Sequence, residues 1–194
     1  MGQLFLSYEC IHLTLTKSEE GRMGRYQERK WSGEKGKKFG HAGRTEDPYM
    51  PAEGQEASLC TSCRALYQNK RWFFDEKMAA RLAGTDQVRE VICPTCRKIK
   101  DRYAEGVLTL SGEFFNERRE EILGLVEKEA AKVAARSVDD RIIQIIPEGD
   151  KVVVETTTEK LAQHLGRTLY RAYKGDLDFR WSEMNRFVRV YWKR

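Results

Sequence analysis

The chain has 194 residues, 40% hydrophobic and 34% charged, enough for one ordinary core with a small metal-held unit beside it. Its formal net charge is +5, yet Gly21 to Arg44 alone holds eight Lys or Arg against two Glu, so the excess is a local property suited to a polyanion. The apolar run Leu4 to Leu15 is interrupted by Glu9 and His12, has no basic leader and falls short of the roughly 20 residues a span requires. Leu6 also stands where a myristoylation signal wants Ser or Thr. A soluble, cytoplasmic protein with no membrane partner is expected.

In chain order, Leu4 to Leu15 alternates like a strand but equally fits a poorly ordered leader. Residues 1–46 as a whole read as a flexible basic region. From Lys17 to Asp47 six glycines are interleaved with Arg22, Arg25, Arg29, Lys30, Lys35, Lys37, Lys38 and Arg44, and no apolar period survives to offset chain entropy. Tyr26, Trp31 and Phe39 among these cations suit phosphate contacts with stacking on unpaired bases. A merely solubilising arm fits the same composition.

Residues 47–102 form a predicted zinc-ribbon module. Cys60-Thr61-Ser62-Cys63 and Cys93-Pro94-Thr95-Cys96 each place two thiolates within reach of one ion, and the 29 residues between Cys63 and Cys93 can hold a hairpin or short helix. One structural zinc ion bound by Cys60, Cys63, Cys93 and Cys96 is the expectation. A redox pair leaves the second knuckle unexplained, and the odd Cys10 spoils an even disulfide framework. Ala65 to Phe74 suggests a short hairpin or strand and Glu76 to Leu82 a helical turn, with Trp72, Phe73 and Phe74 as a small core. Zinc would supply much of the stability of so small a unit.

Residues 103–194 pattern as an α+β domain. Val107 to Leu110 is of strand type, and Ser111 can cap a helix with apolar positions at Phe115, Ile122, Val126 and Val133. Arg141 to Ile146 and Lys151 to Glu155 flank Pro147-Glu148-Gly149-Asp150, a hairpin signal. Thr156 with Glu159 matches a capping box for a helix carrying Leu161, Leu165, Leu169 and Ala172 and stopping at Gly175. Leu177 to Trp181 and Arg186 to Trp192 read as strands around Ser182 to Asn185, with Val188, Val190 and Trp192 on the core side. The order β-α-β-β-α-β-β predicts a largely antiparallel sheet with helices on one face, a ferredoxin-like α/β sandwich with an added edge strand.

No phosphate-binding loop, dinucleotide fingerprint or nucleophile elbow is present, and His12, His41 and His164 pair with no evident partner. Four cysteines close the coordination shell, whereas a catalytic zinc keeps a position open, so a non-enzymatic protein is expected. Polyanion binding fits better. Arg64, Lys70 and Arg71 beside the first knuckle and Arg97, Lys98, Lys100 and Arg102 beside the second offer phosphate contacts, in the way that zinc ribbons present a rigid cationic surface to RNA or ribosomes. An ordinary charged surface, on a protein-interaction adaptor whose α+β domain docks a partner, is the alternative.

The segment Ile92-Cys93-Pro94-Thr95-Cys96-Arg97-Lys98-Ile99 through Asp101-Arg102-Tyr103 and Leu108-Thr109-Leu110-Ser111-Gly112 resembles the nonsense-mediated-decay adaptor family that escorts large ribosomal subunits from the nucleus, and more closely its short prokaryotic relatives. Val152 to Gly175, with Thr156-Thr157-Thr158, and the closing Val188-Arg189-Val190 extend the resemblance to about Cys60 to Arg194. It implies a cysteine-ligated zinc module followed by an α+β domain, acting through ribosomal or RNA contact. The eukaryotic adaptors carry further zinc-binding cysteines, domains and shuttling signals, so nuclear export is not implied for this chain. Arg64 and Arg97 stand where such knuckles often have glycine.

Overall fold

The computed structural model describes Tyr49 and residues 57–182 and 187–194. Over these the protein is α+β, with two mixed sheets and five helices. The Leu4 to Leu15 strand, the basic region with its cations, the odd Cys10 and most of the Ser182 to Asn185 turn lie outside the described residues.

The smaller sheet is built around the cysteines. Strands β1 (Ser58–Cys60), β2 (Leu66–Gln68) and β3 (Arg71–Phe73) form an antiparallel meander. Strand β4 (Arg89–Val91) adds to the other side of β1 in parallel, giving the order β3-β2-β1-β4. Between β3 and β4 lies helix α1 (Glu76–Leu82), started by Asp75, whose carboxylate accepts from Met78 N at 2.8 Å. Leu59, Leu66 and Ala79 are buried here, with Phe73 and Leu82 packed against them. Helix α2 (Pro94–Asp101) follows the second knuckle, with Pro94 in its first turn and Arg102 closing it in the left-handed region.

The larger sheet has the order β6-β7-β5-β9-β8, formed by β5 (Gly106–Ser111), β6 (Ile142–Glu148), β7 (Lys151–Thr156), β8 (Asp176–Trp181) and β9 (Val188–Lys193). Three of its pairings are antiparallel, but β5 and β9 run parallel, and β9 lies inside the sheet between β5 and β8. Residues of period two bury one face: Leu108 and Leu110, Val152 and Val154, Val188, Val190 and Trp192. Helices α4 (Arg119–Ala134) and α5 (Glu159–Tyr173) contribute Ile122, Val126, Leu161, Leu165 and Leu169 to the same core, each fully buried leucine contributing roughly 1.5–3 kcal/mol.

Two predicted caps sit elsewhere. The helix after β5 begins at Gly112 with no side-chain cap, because Ser111 is the last residue of β5, paired with Lys193. The helical stretch is also broken at Arg118 into α3 (Glu113–Glu117) and α4. Helix α5 is capped by Thr158, whose hydroxyl accepts from Leu161 N at 3.2 Å, because β7 continues through Thr156 opposite Gly106. The Thr156 hydroxyl is buried and donates to the Gly106 and Thr158 carbonyls. A Cβ on Gly106 would stand 2.6 Å from that hydroxyl and 2.7 Å from Ala162 Cβ, so glycine is what permits this close approach. Pro147 belongs to edge strand β6, where a missing N–H costs no ladder bond.

Candidate metal centre

The parallel pairing of β1 with β4 is what joins the knuckles. Cys60 ends β1 opposite Val91 at the end of β4, so Cys93, two residues on, arrives beside it. Thr61 N donates to Val91 O at 2.9 Å and fixes that approach. In the first knuckle Cys60 N donates to Ala65 O at 2.8 Å and Arg64 N to Cys60 O at 3.0 Å, a tight turn for which Arg64 takes a left-handed φ of 60°. The second knuckle is a helix start. Cys93 is the N-cap of α2 and its sulfur accepts from Cys96 N at 3.4 Å.

All four sulfurs lie within 4.8 Å of one another, with Cys60 and Cys93 fully buried and Cys63 and Cys96 partly so. Thiolates about 2.3 Å from a zinc ion have tetrahedral edges of about 3.8 Å; the sulfurs of Cys63 and Cys93 are 3.7 Å apart, a separation that excludes a disulfide. Backbone N–H groups also converge on the cluster: Cys60 Sγ receives those of Cys63 and Cys93 at 3.5 and 3.3 Å. The residues present therefore fit a closed four-thiolate metal site, in which backbone amides stabilise charged sulfur.

Without an ion the four thiols cannot share one pocket as anions. Hydrogen bonds donated by the Cys63 and Cys93 thiols draw the Cys60 thiol far below its ordinary range, so the first negative charge settles there. Cys63 is pushed up to about 11, chiefly by its hydrogen bond to Cys60. Cys93 is raised further, by its bonds to Cys60 and Cys63 and by burial. A bound cation would remove the protons that Cys63 and Cys93 retain.

Around the cysteines, Ala65 and Val138 are buried against Cys60 and Cys93, with Trp72 packed alongside. Val138 lies in the connection between α4 and β6, elements of the larger sheet and its helices. From that connection Asp139 accepts from Thr95 Oγ1 at 3.3 Å, and Arg141 lays its guanidinium over the Phe74 ring. Its backbone also meets the start of α5. Arg141 N donates to Thr157 Oγ1 at 2.8 Å, Thr157 Oγ1 donates to Asp139 O at 2.5 Å, and Thr158 Oγ1 donates to Asp140. Val138, Asp139 and Arg141 carry no motif that would mark them in the sequence.

The cations expected to contact nucleic acid separate into three groups. Arg22, Arg25, Arg29, Lys30, Lys35, Lys37 and Lys38 lie outside the described residues. Arg64, Arg71, Arg97 and Lys100 are exposed, and none forms an ion pair among the described residues; one Arg64 nitrogen donates to Ala79 O at 3.4 Å. Lys98 departs from expectation: its ammonium is 2.5 Å from Glu105, both side chains are only 12% exposed, and it sits over the Tyr49 ring. It is a structural tie rather than a surface cation. Tyr49 packs on Tyr103 and donates to Asp101, and desolvation followed by that bond raises its pKa.

His164, which has no evident partner in the sequence, is partly exposed with its Nε2 3.8 Å from Glu129 of α4. Among the described residues no helix is long and apolar enough to cross a membrane. No protein-family model, curated protein or solved structure matches the chain.

Proposed function

We propose that the protein is a non-enzymatic, cytoplasmic RNA-associated protein in which Cys60, Cys63, Cys93 and Cys96 hold one structural zinc ion, and that its RNA belongs to the large ribosomal subunit or a precursor. The observation that carries this reading is the surface around the four-cysteine cluster. The same short turn and helix that present the sulfurs inward leave Arg64, Arg97 and Lys100 outward, and strand β3 adds Arg71, all four without carboxylate partners among the described residues. Zinc would act as a structural staple, since four thiolates would fill its tetrahedral shell. The ferredoxin-like relationship of the larger sheet and the division at residues 46 and 102 belong to this reading, as does the resemblance to the ribosomal-subunit adaptors.

Two measurements test it. Metal analysis of the purified chain should give one zinc per molecule, and Cys93→Ser should lose it; unchanged metal content in that variant would remove the centre from the reading. Sedimentation of the native protein in lysate should then show co-migration with large ribosomal subunits that salt abolishes. Migration as a free protein, with and without RNase, would favour the protein-interaction adaptor instead. Tyr103 and Trp181, 41% and 47% exposed, are large apolar side chains of residues 103–194 on which such an adaptor could dock a protein.

A further inference from the structure

The expected nucleic-acid contacts all fall in the N-terminal region and the metal module, but helix α5 of the other domain carries a second basic surface. Its buried positions Leu161, Ala162, Leu165, Gly166 and Leu169 fix one side against the sheet. At about 100° per residue, Lys160, Arg167 and Arg171 then fall on one narrow stripe along the opposite side, and all three are exposed. Lys174 caps the helix, also exposed, with its ammonium 5.8 Å from the centre of the Tyr170 ring. From Lys160 to Lys174 the stripe spans about 21 Å at 1.5 Å per residue.

Its charges are not neutralised locally. Among the described residues none of the four cations forms an ion pair: Arg167 donates to Gln163 at 3.0 Å and Arg171 to Thr168 at 3.1 Å, both neutral. Two carboxylates of the neighbouring helix α4 are engaged by other groups, Glu129 by Lys132 and by His164 of α5, and Glu121 by Arg118 and by Tyr173 of α5. The helix itself has one acid, Glu159, in its first turn, where it complements the helix dipole. Three cations on a rigid helix, with uncharged neighbours that can themselves donate hydrogen bonds, match a row of phosphates.

The geometry points to α5 as a docking face for the phosphate backbone of double-stranded RNA. This inference rests on the RNA-associated reading and adds a second contact surface to it. A duplex is favoured over unpaired bases because the aromatic rings beside the stripe offer no open face: Tyr170 is covered by Lys174, and Phe179 is buried beneath the Arg167 guanidinium, leaving charge without a stacking platform.

The test uses the full zinc-loaded chain, a 20-base-pair RNA duplex and a salt titration of its affinity. Lys160→Ala/Arg167→Ala/Arg171→Ala should reduce the slope of log K against log salt by about 2–3, and weaken binding about tenfold or more near 0.1 M salt. Arg167→Lys/Arg171→Lys should keep the wild-type slope, because phosphates read charge here. Lys128→Ala, an exposed cation on α4, should leave it unaltered. The triple variant changes only exposed side chains, and an unchanged thermal midpoint would confirm that it folds. Wild-type binding with an unaltered slope in the triple variant would overturn the α5 assignment while leaving the RNA reading intact. Failure of the wild-type chain to bind any RNA would overturn both, and stripe-dependent binding of polyglutamate without RNA would assign the face to an acidic protein.

Discussion

At Lys70 the β2–β3 hairpin sets a conformational demand that its side chain opposes. Asn69 and Lys70 form a two-residue loop with φ of 54° and 63°, the pattern of a type I′ turn, in which glycine is the favoured second residue. Asn tolerates the left-handed region, but a lysine there carries a steric penalty. Lys70→Gly should therefore raise stability by about 1 kcal/mol, seen as a higher chemical-denaturation midpoint at constant slope. Gly112 presents the opposite case. With φ of 108°, a Cβ would lie 2.2 Å from Arg194 O, a backbone atom held by its bond from Phe115 N. Gly112→Ala combines a disfavoured conformation with a backbone clash, and a loss of about 3 kcal/mol or more is expected in the same measurement.

At the scale of elements, Lys98 ties α2 to Glu105, the residue before β5, in a pair largely shielded from solvent. Lys98→Met should cost roughly 2–3 kcal/mol, less than a fully buried pair because some solvent remains. Adding Glu105→Gln should recover part of that loss; a double variant as unstable as the sum of the singles would show that the two groups act independently. This pair also shows where sequence patterning stops. Lys98 sits in a run of cations and was expected to face phosphates, whereas its partner is seven positions on, past the end of the helix, at a distance only the chain reversal at Arg102 and Tyr103 creates. Strong local patterns were legible: α1 over Glu76 to Leu82, the period-two face of Val188, Val190 and Trp192, and the four cysteines. The short strands β1 and β4 were not, since three residues each, one of them Arg-Glu-Val, carry too little periodicity, and their parallel pairing is a long-range choice. The cap of α5 was misplaced by two residues because three consecutive threonines offer the same hydroxyl, and only the register of β7 against β5 selects Thr158.

Across the whole molecule, the metal centre and the α+β core meet through Val138 to Arg141, a connection that is buried against Cys60 and Cys93 at one end and bonded to the threonines before α5 at the other. Losing the ion should expose Trp72 and free Val138. The loosening should then reach the Arg141 and Leu161 amides, whose acceptors are the Thr157 and Thr158 hydroxyls. Hydrogen exchange after chelation should show faster exchange at these two amides and at β1 and β4, with the centre of β5 and β9 still protected; unchanged exchange at Arg141 would mean that the metal centre and the core of the larger sheet are independent. The same centre makes metal retention pH-dependent, with a definite sign. In the metal-free cluster Cys63, pushed up to about 11, and Cys93, raised further, are protonated at neutral pH, so binding an ion must expel their protons. Lower pH favours the protonated, metal-free form, and affinity should fall steadily as pH falls from 8 to 6. Competition with a chelator whose own pH dependence is known provides the measurement. An affinity independent of pH over that range would mean that the thiols are already ionised without metal, and hence that the backbone amides around Cys60 stabilise more than one negative charge.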